Sequence, residues 1–276
     1  MPRCPAPVAN TTSGCIVRAQ DVVRRAVSGQ AREVSATRPQ RFFFVHLQKT
    51  AGTSLFIRLR RHLGEDAVYP MPEYEGVDWS NTNVDMLRDV FEQRGDDIRA
   101  VVGHFPLCTV DLLGVPFTTL TVLRDPFPRT LSFLRHRREK LPDRADATLD
   151  ELYSEPVTLH ALIHNHMTRM LGMTAAQMTD GMATMVEHDE ALLRRAEEGL
   201  ERIDVVGLQE RFGDFWMDVQ ARFGWDLGDE LRANASKPDD EEIDAWFDLR
   251  IRTDNELDFR LYQHAVDLVA RRSQEG

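Results

Sequence analysis

Four consecutive apolar residues, Phe42-Phe43-Phe44-Val45, lead through His46 and Leu47 into Gln48-Lys49-Thr50-Ala51-Gly52-Thr53-Ser54, after which Leu55, Leu59 and Leu63 recur at helical spacing. A run this short without a polar residue reads as a strand covered on both faces, because a half-solvated strand would alternate. The segment is therefore strand, small-residue loop, helix. Residues 98–102 and 118–123 repeat the buried-strand signal, with helical patterns between and after them. That alternation specifies an α/β fold with a parallel sheet, since parallel neighbours need a crossover and a helix supplies it. Helical patterns over 156–171, 185–202, 209–223 and 241–270, with one further strand expected over 203–207, predict a mostly helical C-terminal half. Residues 141–147 and 226–240 are rich in charge and turn formers and read as surface loops.

A chain of 276 residues can bury one sizeable core. Residues 41–276 are taken as a single domain; residues 1–40 mix Pro, Ser, Thr, Ala and Arg with little periodicity and read as a flexible N-terminal extension. No apolar run is long enough to span a bilayer, and the extension lacks the apolar block of a secretory signal, so a cytoplasmic location is expected. The three cysteines, Cys4, Cys15 and Cys108, fit neither a disulfide framework nor a metal-ligand spacing, and no metal is expected. A formal net charge of −11 argues against broad nucleic-acid binding, although residues 1–41 are locally basic. Lysine occurs only at Lys49, Lys140 and Lys237. In so arginine-biased a chain a retained lysine either marks a tight site that needs a compact ammonium or stands there by chance.

The loop after the first strand carries the strongest local chemistry. Ala51 and Gly52 let backbone amides approach an anion, Thr50, Thr53 and Ser54 add hydroxyl donors where a helix begins, and Lys49 adds a full positive charge. In a nucleotide triphosphatase the lysine follows the glycines; here it precedes them, which changes the candidate ligand. A second strand-to-helix junction runs through Arg124-Asp125-Pro126-Phe127-Pro128-Arg129-Thr130-Leu131-Ser132, where a proline suits the first helical turn and Ser132 faces back toward the strand end. Arg124 and Ser132 are thus placed to grip one phosphate from two sides. His104 follows a strand and Gly103, where a side chain projects into the crevice at the carboxyl end of a parallel sheet. It is either a hydrogen-bonded core histidine or a general base, the imidazole being suited to take a hydroxyl proton near neutral pH.

Other residues carry two readings each. Asn165 and Arg169, four apart, share a helical face and either reach a ligand or bond to another helix; His164 and His166, two apart, point in different directions and form no natural metal pair. Tyr69, Tyr74 and Trp79 lie in a stretch, 64–82, too irregular for a helix, and either line an acceptor pocket or anchor a surface loop.

Taken together, His46 to Ser54 resembles the 5′-phosphosulfate loop of sulfotransferases that use 3′-phosphoadenosine 5′-phosphosulfate (PAPS), specifically the carbohydrate branch that includes heparan sulfate 2-O-sulfotransferase. Arg124 to Ser132 resembles that family's R-D-P-x-x-R-x-x-S segment, which holds the 3′-phosphate. Val102 to Phe105 resembles its G-H segment with the catalytic histidine, Asn165 to Leu171 its N-x-x-x-R-x-L helix, and Val206 to Phe212 its V-G-L-x-E-R-F segment. Asn234-Ala235-Ser236-Lys237, followed by Leu257 to Tyr262, is similar to its C-terminal cofactor loop and last helix. Gln48 replaces the family's usual proline, and Val102 stands where heparan 2-O-sulfotransferases have an extra histidine.

The resemblance covers about residues 41–270 and implies a P-loop-like sheet, PAPS as cofactor and 3′,5′-bisphosphoadenosine as product. It also implies cofactor contacts from Asn234, Ser236 and Lys237, and a hydroxyl-bearing acceptor of the glycan or glycoconjugate type. The competing expectations are a P-loop kinase, with Asp125 holding Mg²⁺, and a nucleotide-binding module without catalysis.

Overall fold

A computed structural model describes residues 40–74, 77, 80–178, 181–228 and 242–275. In chain order the elements are β1 (Phe42–Val45), α1 (Gly52–Leu63), β2 (Val68–Tyr69), α2 (Val84–Arg94), β3 (Ala100–Gly103), α3 (Thr109–Leu113), β4 (Thr118–Leu123) and α4 (Pro126–Lys140). There follow α5 (Leu149–Tyr153), a π-helical stretch (Thr158–Ile163), α6 (His166–Gly172), α7 (Glu190–Arg202), β5 (Val205–Leu208), α8 (Phe212–Phe223), α9 (Ala245–Asp254) and α10 (Glu256–Glu275). The five strands form one sheet in the order β2-β3-β1-β4-β5, and every pairing is parallel. The architecture is α/β, and most of the described chain after β4 is helical.

The apolar run of β1 is explained by where its side chains go. Phe43 and Val45 join a core with Leu87 of α2, Met167 of α6, Leu193 of α7 and Leu261 of α10. Phe42 and Phe44 point the other way, into Leu55 and Leu59 of α1 and Phe215 and Trp216 of α8. Helices therefore cover both faces of the sheet, and no position on β1 meets water. A third cluster joins α4, α5 and α9 through Leu134, Leu152, Tyr153, Phe247 and Ile251.

Three local expectations need correcting. Val68 and Tyr69 form the edge strand β2 within the stretch read as irregular; two residues in parallel pairing with Ala100 and Val101 are too few to leave a periodic signal. The helix expected over 156–171 is broken into the π-helical stretch and α6, with Asn165 left-handed between them at φ 45°. The helix expected over 241–270 is divided at Asn255.

Long-range polar contacts cause both breaks. Arg129 donates to the carbonyls of Leu162 and Ile163, and Arg169 to those of His160 and Ala161, so two buried guanidinium groups take over carbonyls that a continuous helix would pair internally. Asp258 accepts from the amides of Met167 and Thr168, capping α6, while the Asn165 amide donates to Asn255 Oδ1 and Asn165 Oδ1 accepts from the Asp258 amide across the same junction. The expected N-terminal extension, apart from Gln40, and most of the loop expected over 226–240 lie outside the described residues. Among the described residues no helix is long and apolar enough to cross a membrane.

Candidate functional site

Three adjacent strands, β3, β1 and β4, end side by side: Val45 is in register with both Gly103 and Thr121. The chain leaves β1 toward one edge of the sheet and leaves β4 toward the other, which makes the crevice between them the topological switch point where open parallel sheets bind ligands. The loop after β1 supplies Lys49, the junction after β4 supplies Arg124, and the residue after β3 is His104. The two cationic segments touch, Arg124 Nη1 donating to the Lys49 carbonyl at 3.1 Å.

The electrostatics favour an anion. Lys49 and Arg124 are both half-buried. Burial holds the Lys49 ammonium below its ordinary range, and the Arg124 guanidinium beside it adds to the effect while Glu139 opposes it. Burial likewise lowers Arg124, against Glu210 and Asp125. Two like charges kept close and partly dry are stabilised by a bound phosphate or sulfate group. The first turn of α1 points at the same loop, has no acidic residue and no side-chain cap, and offers its amides to an anion.

The loop residues divide their work differently from the sequence reading. Lys49 and Ala51 are left-handed, at φ 66° and 70°, so the unusual backbone lies in two non-glycine residues beside the proposed anion. Gly52 is buried and its φ is not positive; a Cβ there would overlap the His46 ring and lie 2.7 Å from its Cγ. Gly52 thus makes room for His46. Thr50 is fully buried and donates its hydroxyl to the Leu47 carbonyl at 2.8 Å, which closes the turn and removes that hydroxyl as a ligand donor. Thr53 is exposed and Ser54 buried at the start of α1.

His104 sits half-buried at the end of β3. Its backbone amide donates to the Asn81 carbonyl at 2.7 Å, and Gly103 is needed because a Cβ there would lie 2.8 Å from that same carbonyl. His104 Nδ1 lies 2.6 Å from the carbonyl oxygen of His46. A carbonyl only accepts, so Nδ1 carries the proton and Nε2 keeps the lone pair. Burial lowers the imidazole's pKa and the bond to the His46 carbonyl pulls it back up. The result is an imidazole of fixed tautomer and lowered pKa at the end of β3.

The remaining expected residues fall into separate groups. Ser132 lies buried on α4, past the Pro126 that starts the helix. Asn165 and Arg169 are buried and engaged inside the protein: Arg169 donates to the carbonyls of His160, Ala161, Met182 and Thr184, and Asn165 accepts from Asp258. Of the two readings for this pair, the internal bonds are the ones present: both lock backbone segments together. Tyr69 is fully buried in β2 and donates to the Ser80 carbonyl, which matches the anchoring alternative of its two readings. Tyr74 is half-buried with its ring 6.0 Å from that of Tyr69. Trp79, Asn234, Ser236 and Lys237 lie outside the described residues.

His166 is fully buried, and burial first, then Arg129 and Arg169, hold it far below the ordinary histidine range. Asp125 spends its carboxylate as the cap of α4, accepting from Phe127 at 2.9 Å. Two residues were missed as site members. The His46 ring lies against that of His104, with centroids 4.4 Å apart and planes tilted by 33°, and His136, one turn along α4 from Ser132, has a pKa lowered by burial first and then by Lys49. Position along α4 relative to Ser132 was the available signal for His136; none existed for His46. Among the described residues no group of three or more His, Cys, Asp or Glu is arranged to hold a metal ion. No protein-family model matches the chain, and a search of curated proteins finds no match.

Proposed function

We propose that the protein is a PAPS-dependent sulfotransferase of the carbohydrate branch, with a P-loop-like phosphate site, acting in the cytoplasm on a hydroxyl of a glycan, glycoconjugate or other small acceptor. One observation carries this reading: Lys49, Arg124 and a tautomer-fixed His104 converge from three neighbouring strand ends. Lys49 and the first amides of α1 hold the 5′-phosphosulfate, and Arg124 with Ser132 holds the 3′-phosphate. Asn234, Ser236 and Lys237 complete the cofactor contacts by resemblance to the family.

The acceptor oxygen attacks sulfur in line, the bond from sulfur to the phosphate oxygen breaks, and His104 Nε2 takes the hydroxyl proton. Negative charge grows on the departing phosphate oxygen, where Lys49 and the amides stabilise it more than in the ground state. The products are a sulfate ester and 3′,5′-bisphosphoadenosine. The kinase alternative gains nothing from Asp125, whose Oδ1 serves as the cap of α4.

The test is product formation from PAPS across a panel of glycans, glycolipids and phenols, following ester and bisphosphate together. The expected result is one bisphosphate released per ester formed with at least one acceptor class. Phosphoryl transfer from Mg-ATP, with no PAPS turnover on any acceptor, would contradict the proposal.

A further inference from the structure

His46 lies one residue beyond β1 and continues its ladder, its amide donating to the Gly103 carbonyl at 3.1 Å. Its own carbonyl then receives Nδ1–H of His104. Its ring lies between two others: Phe44 at 5.6 Å and an interplanar angle of 22°, and His104 at 4.4 Å and 33°. The space for that ring exists only because residue 52 lacks a Cβ. One residue thus holds His104 twice, through backbone at one ring edge and through its side chain on one ring face.

We propose that the His46 imidazole is a positioning residue for His104, a role that rests on His104 being the base. It lies against the His104 ring and keeps water from that face, while the His46 carbonyl fixes Nδ1–H, so that Nε2 is the one nitrogen left to take the acceptor's proton.

The surrounding charges are consistent with this division. Burial first, then His104 and Lys49, hold His46 well below the ordinary histidine range, which favours its neutral form. Lys49 belongs to the loop after β1, Arg124 to the junction after β4, and His166 of α6 interacts with His104 while being repelled by Arg129 and Arg169. Removing the His46 ring has two opposed effects on His104: water reaches its face, which raises its pKa, and an aromatic face that favours imidazolium is lost, which lowers it. Burial is the first cause of the lowered His104 pKa, and opening one ring face relieves it, so an upward movement is expected.

The experiment is ¹⁵N NMR of the histidine ring nitrogens in the full, nucleotide-free chain, with the His104 signal assigned by its loss in His104→Gln. His46→Phe keeps a flat ring and should leave the His104 midpoint within about 0.3 of a pH unit, with kcat within roughly threefold. His46→Ala should raise the midpoint by about half a unit or more and lower kcat roughly tenfold, with bisphosphate affinity little changed. Gly52→Ala, which displaces the ring while keeping the histidine, should move the midpoint the same way and guards against misfolding of the first variant. An unmoved midpoint in both His46→Ala and Gly52→Ala, or a His46→Phe protein as shifted as His46→Ala, would overturn the proposal. The midpoint is read without substrate, so absent PAPS turnover in the wild type would sink the function and leave this measurement decisive for His46.

Discussion

Arg129 and Arg169 on one side, and Arg124 and Lys49 on the other, are basic residues of short sequence motifs, Arg124 and Arg129 of the same one, yet the fold treats them oppositely. The first two are fully buried, and their side chains are met by backbone carbonyls from 160–163 and from the segment carrying Met182 and Thr184. The second two are half-buried at a crevice, close enough to repel one another. A buried cation surrounded by carbonyls is a structural fastening, whereas a partly dry pair of cations beside an uncapped helix N-terminus suits the proposed anion site. Basic charge within a motif therefore does not identify ligand contacts; what the side chain already touches does.

That contrast predicts different failures. Arg169→Ala should cost at least about 3 kcal/mol of stability, because several buried carbonyls lose their donor at once, and urea unfolding measures it. A loss below about 1 kcal/mol would place Arg169 outside the framework. Lys49→Ala should leave the melting temperature near native but lower kcat by roughly 10³-fold, more than it weakens bisphosphate binding. Lys49→Arg should restore little; near-native turnover in that variant would remove the argument from lysine's compact charge.

His104→Ala should fold and bind bisphosphate near normally while kcat drops by roughly 10²-fold or more, read from steady-state turnover beside calorimetry. Undiminished turnover in a folded His104→Ala protein assigns the base elsewhere. The smallest effect concerns pH. His46, His104 and His166 have folded pKa values lowered by burial, so the unfolded chain takes up protons first as the pH falls. Their contribution is present above about pH 6.5 and is lost on acidification toward the lower folded values, so thermal melts should decline over that interval. Melts that rise between pH 6.5 and 5 would contradict the buried neutral assignment.

The sheet was largely legible in the sequence because its signal is local. Phe42–Val45 and Thr118–Leu123 form strands with the expected bounds, and the strands near 98–102 and 203–207 are displaced by only a few residues. The strand-to-helix junctions that carry Lys49 and Arg124 were legible for the same reason, each being a short segment at a strand end. What could not be read depends on partners far along the chain. Asn165 and Arg169 look like a helical face four residues apart, but Asp258 and the carbonyls around Met182 decide their role. Gly52 looks like a phosphate-loop glycine, and only the position of His46 reveals why it lacks a side chain. Thr50 looks like a hydroxyl donor to the ligand until the Leu47 carbonyl is found beneath it.

The central claim is that Lys49, Arg124 and Ser132 form a site for a nucleotide carrying both a 5′ and a 3′ phosphate. Calorimetric titration of the full chain with 3′,5′-bisphosphoadenosine, AMP and Mg-ATP tests it most directly. The account predicts that the bisphosphate binds at least roughly tenfold more tightly than AMP, since a charge-assisted phosphate contact is worth about 1.5–3 kcal/mol, and that Arg124→Ala abolishes the difference. Equal affinity for AMP and the bisphosphate, or tight binding of Mg-ATP alone, would contradict it.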